Sequence, residues 1–149
     1  RAFVKEDNGE AGDALPDRPV SSAPNFVTPE GLALIDAELA RLQAALAETS
    51  DDRAARAAVE RDLRYWRARR ASAEVVPPPG TPEVRFGSTV TIERDDGRRR
   101  TWRIVGEDEA DPAKGTLSYA APLARALVGR RAGDTVSVAG SEAEIVSVG

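Results

Sequence analysis

No cysteine, histidine or methionine occurs among the 149 residues, and aromatic side chains make up only 5% of them. Without thiols there are no disulfides, no thiolate zinc sites and no cysteine nucleophile, and redox usage says nothing about compartment. Without imidazole there is no Ser-His-Asp triad and no His-ligated metal. The few aromatics imply a modest aliphatic core and argue against a large enclosed active site. No apolar run approaches membrane-spanning length and no charged-then-apolar signal segment opens the chain, so a soluble, cytoplasmic protein without a membrane partner is expected. The net charge is -4 and the pI near 5.0, which disfavours nucleic-acid binding by the chain as a whole, and no direct sequence-specific DNA contact is expected. What remains for chemistry is carboxylate, a ligand type suited to a hard cation such as Mg²⁺.

Four segments follow one another. Residues 1–25 carry five acids, three bases and several Pro, Gly and Ser without apolar periodicity, and are expected to form a flexible tail that could lie along a partner through Phe3 and Val4. Residues 26–76 read as an antiparallel coiled-coil hairpin. Thr28-Pro29-Glu30 is a helix start, with a hydroxyl at the N-cap, Pro at the first helical position and an acid in the first turn. Leu32, Ile35, Leu39, Leu42 and Leu46 then form a heptad seam, answered by Val59, Leu63, Trp66, Arg70 and Ala73. Folding the second seam back on the first pairs Leu46 with Val59 and Ile35 with Arg70. Every such pair is centred between Asp52 and Arg53, so the turn is expected near Ser50 to Ala55. At ~1.5 Å per residue, helices of about 20 residues make an arm roughly 30 Å long. The Arg-rich second helix also carries Glu60 and Asp62, a mixture that marks a solvated surface.

Pro77 to Pro82 (PPPGTP) makes a stiff connector. Residues 83–149 then read as a small α+β domain, an antiparallel sheet against one short helix. Val90 and Ile92 alternate with polar residues, Asp96-Gly97 is a tight hairpin turn, and Trp102 and Ile104 continue the alternation. Pro122 opens a helix that Gly129 ends, and further strands hold Leu117, Val136 and Ile145.

Four stretches, NFVTPEGL at 25–32, VRFGSTVTIE at 84–93, RIVGEDEADPAKGTLS at 103–118 and PLARALVGRRAGDTVSV at 122–138, resemble the bacterial transcription elongation factors GreA and GreB. The resemblance implies a coiled-coil hairpin followed by an FKBP-like domain. It also implies a partner, bacterial RNA polymerase, docked at the mouth of its secondary channel by a factor that is not itself an enzyme, has no cofactor of its own and acts as a monomer. By position it carries docking to Asp108 and Glu109 in the acidic loop, and to Pro122, Leu123 and Arg125 at the helix start.

The tip acids Glu48, Asp51 and Asp52 admit more than one reading, one of which the resemblance supplies. In the family an acidic pair there helps hold a second Mg²⁺ in the polymerase active site, so that backtracked RNA is cleaved. The tip here, AETSDDRA, has neither the glycine nor the acid-x-x-acid order of that motif, and the arm is shorter. Asp51 and Asp52, which precede the second helix, could therefore cap it, hold metal within the polymerase complex, or make an electrostatic contact with polymerase. A stunted arm is similar to the Rnk-type branch, which binds polymerase without promoting cleavage. An FKBP-like fold also suggests prolyl isomerase activity, by analogy of fold alone; the candidate aromatics for a proline pocket are Phe86, Trp102 and Tyr119. Ala121, a weak cap, precedes the helix at Pro122.

Overall fold

The computed structural model describes residues 14–149, and they divide into two compact units. The expected contact through Phe3 and Val4 lies outside the described residues.

The first unit holds most of a helical hairpin: α1 (Pro29–Glu48) and α2 (Arg53–Ser72), of which the first turn of α1 belongs to the second unit. Each helix has 20 residues, and the turn spans Thr49 to Asp52. Ile35, Leu42 and Leu63 are buried and Leu39, Leu46, Val59 and Trp66 half-buried, so the heptad seam faces inward. Arg70 Nε donates to Asp36 at 2.7 Å, one residue from the predicted Ile35–Arg70 pairing, which shows the antiparallel return. Arg70 itself is exposed, and the cation that enters the interior is its neighbour Arg69, 2% exposed.

Residues 14–24, expected as part of a loose tail, instead carry defined contacts to α2. Arg64 donates to Asp17 at 2.5 Å and to the Leu15 carbonyl at 2.9 Å. Arg18 pairs with Asp62 at 3.4 Å, and its guanidinium lies 4.0 Å from the centre of the Tyr65 ring. These contacts explain the mixed charge of α2: part of it is spent on the segment that lies along it.

The second unit begins at Asn25. Its strand β1 (Phe26–Val27) pairs in parallel with β2 (Glu74–Val75), so the chain enters and leaves the hairpin through one two-stranded ribbon. Five further strands among the described residues, β3 (Thr89–Arg94), β4 (Arg99–Val105), β5 (Thr116–Ser118), β6 (Thr135–Val138) and β7 (Ser141–Val148), form a sheet in the order β5-β4-β3-β7-β6. The helix α3 (Pro122–Leu127) buries Ala124 and Leu127. Period-2 alternation puts Val90, Ile92, Trp102, Ile104 and Ile145 into one aliphatic core with them. Gly97, at φ 81°, takes the left-handed position of the β3–β4 turn, where Asp96 accepts from the Arg98 N–H at 2.9 Å.

The sheet departs from the all-antiparallel expectation at one edge, because β5 runs parallel to β4. A parallel neighbour needs a long crossover in place of a tight turn, and the acidic loop at residues 106–115 supplies it. The loop therefore has a topological reason to exist before any binding role is considered.

Candidate functional site: the hairpin tip and the acidic loop

At the tip, α1 ends on Glu48 and the turn closes with the Asp52 N–H bonded to the Thr49 carbonyl at 3.1 Å. Asp52 is extended (φ −117°, ψ 104°), and its carboxylate accepts from the Ala55 N–H at 3.1 Å. It is thus the N-cap of α2, satisfying one of the amides that a helix start leaves without an intrahelical acceptor. Glu48 and Asp51 are exposed beside it. No group of three or more Asp, Glu, His or Cys side chains among the described residues could hold a metal ion.

In the β domain the two acids assigned to docking have different surroundings. Both are half-buried. Glu109 is turned inward: one carboxylate oxygen accepts from the Thr28 N–H at 2.9 Å and the Gly106 N–H at 3.0 Å, and the other accepts a short hydrogen bond from the Thr28 hydroxyl. Thr28 is fully buried and is the N-cap of α1, its hydroxyl accepting from the Gly31 N–H at 2.9 Å. Two glycines make room. A Cβ on Gly31 would lie 2.1 Å from the Glu109 carboxyl carbon, and one on Gly106 would lie 2.4 Å from the Phe26 carbonyl oxygen. Arg103 adds a bond to Glu30 at 2.9 Å, and that guanidinium holds the Glu30 carboxyl below its ordinary value of 4.5.

Sequence reading missed this arrangement, although it left a trace. Thr-Pro-Glu-Gly has a good N-cap but lacks the Glu or Gln three residues later that completes a capping box. Further along the loop, Asp111 caps the short 3-10 turn Pro112–Lys114 by accepting from the Ala113 N–H at 3.2 Å.

At the start of α3, Ala121 makes no side-chain cap, as its methyl dictates. Pro122 and Arg125 are exposed, whereas Leu123 packs partly against the core. Of the aromatic residues considered for a proline pocket, Phe86 and Tyr119 meet edge to face at 5.7 Å, and each packs in the same way on Phe26, at 5.9 and 5.5 Å. Trp102 is buried in the core with the Arg100 guanidinium over it.

A two-helix hairpin followed by a small mixed-sheet domain with a long acidic crossover defines the class of protein. Residues 79–148 match the family described as transcription elongation factor, GreA/GreB, C-terminal. The GreA of Chloroflexus aurantiacus is 34% identical, over 80% of this chain and 90% of that protein. The GreB of Neisseria meningitidis serogroup B is 42% identical over 97 residues, 60% of either chain. The chain belongs to the GreA/GreB family of transcription elongation factors. Its matches to that GreB and to the GreA of Rhodopseudomonas palustris span 60% and 35% of those relatives' lengths. Among solved structures, GreA factor homolog 1 of Thermus thermophilus is similar, with a TM-score of 0.43 at 24% identity, covering 85% of this chain and 99% of that one.

Proposed function

We propose that this protein binds bacterial RNA polymerase as a Gre-type regulator of elongation, docking at the secondary channel through its C-terminal domain and presenting a short helical arm, with little contribution to transcript cleavage. It acts in the bacterial cytoplasm as a monomer, is not an enzyme by itself and carries no cofactor. Family membership supports the partner. The observation that carries the reading on cleavage is the tip, where the Asp52 carboxylate is engaged in capping α2.

Docking falls to the surface that includes Asp108, Pro122 and Arg125, with Leu123 beneath it. Glu109, being bonded to Thr28, contributes to that surface through the loop it shapes. Co-sedimentation with polymerase tests this: Asp108→Ala combined with Arg125→Ala is expected to weaken association about tenfold, a loss of about 1.4 kcal/mol, and unchanged association would sink the docking assignment. Asp51 and Glu48, exposed at the tip, favour a second reading in which they hold Mg²⁺ in the polymerase complex. A backtracked-complex assay decides between the two: cleavage that depends on Asp51 would establish the second.

A further inference from the structure

We propose that Glu109 is a positioning residue, the missing member of a capping box supplied from 81 positions away, which ties the acidic loop to the first turn of α1. In an ordinary capping box the N-cap hydroxyl takes the N–H three residues on, and a Glu at that third position reaches back to the N-cap N–H. Here the first half is present, with Gly31 N–H bonded to the Thr28 hydroxyl, but the third position is glycine. The Glu109 carboxylate bonds the Thr28 N–H in its place. It also occupies the space a side chain at position 31 would need, since its carboxyl carbon lies 2.1 Å from where that Cβ would stand. The same carboxylate bonds the Gly106 N–H, so one group closes both the helix start and the root of the loop. The other link in this turn, Glu30 to Arg103, is exposed and worth little. Glu109 is therefore the tie.

The functional meaning rests on the docking reading above: a loop that touches polymerase is joined through one carboxylate to the base of the arm. Loss of Glu109 should act on what the arm does beyond any effect on docking, whereas loss of Asp108 acts on docking alone.

Three variants test this without confusing tie and fold. Glu109→Ala should speed hydrogen exchange at the Thr28 and Gly31 amides about fivefold, the equivalent of one lost cap. Gly31→Ala should lower stability in the wild type, by expelling Glu109, yet raise it in the Glu109→Ala background, where only the better helix propensity of Ala remains. Equal effects in both backgrounds would overturn the proposal. Gly31→Glu with Glu109→Ala moves the carboxylate into the helix, restoring the cap while cutting the tie. It should recover slow exchange, while its effect on elongation, compared at saturating protein so that any loss of docking is offset, falls about fivefold or more. Full effect on elongation from this variant would remove the positioning role. Absence of polymerase binding by the wild type would refute the docking reading instead, leaving the stability cycle to decide on the tie.

Discussion

Single carboxylates in this protein are distinguished by what they accept from. Asp52 caps α2, so Asp52→Ala is expected to cost about 1 kcal/mol of stability, read as a lower denaturant midpoint with unchanged slope. Asp51→Ala, one position earlier and exposed, should leave the midpoint almost where it is. Glu30 shows the same logic through pH. Its folded-state carboxyl is held below 4.5 by Arg103, so its contribution is complete above about pH 4.5 and disappears as pH falls through the depressed value. Glu30→Gln should be slightly less stable than the wild type at neutral pH, and the difference should close once the pH falls below the depressed Glu30 value, as thermal melts would show. At Ala121 the opposite change is available: Ala121→Ser supplies the absent cap of α3 and should stabilise by up to about 1 kcal/mol.

Elements here owe their form to local rules, and their attachments to distant partners. The two 20-residue helices follow from heptad spacing and a capped turn. The segment at 14–24 follows from no periodicity at all: it is held by Asp17 on Arg64 and by Arg18 on Asp62 and Tyr65. Exposed pairs of this kind contribute about 0.2–1 kcal/mol each and weaken in salt. Arg64→Ala should therefore make residues 14–24 readily cleaved by protease while the helical signal of the hairpin in circular dichroism persists. Loss of that signal would mean the segment is part of the hairpin's own stability.

On the scale of the whole molecule, one compact unit takes in both Asn25–Leu32 and Glu74–Gly149, so the first turn of α1 belongs with the β domain. The start of α1 within that unit is capped by the acidic loop. Truncation at Pro24 is expected to leave the β domain's melting temperature within a few degrees, whereas truncation at Thr28, which removes β1 and the cap, should lower it clearly.

Periodicity determined by itself the helices, their antiparallel return and the alternating strands, because burial of one face is a property of spacing along the chain. Turn chemistry did the same for Gly97 and Asp52, whose roles involve atoms within a few residues. The parallel pairing of β5, the burial of Arg69 in place of Arg70 and the partner of Glu109 were decided only in three dimensions. For Glu109 the reason is plain: its carboxylate is brought from a distant loop into reach of the buried Thr28, and no local pattern specifies which distant group will arrive.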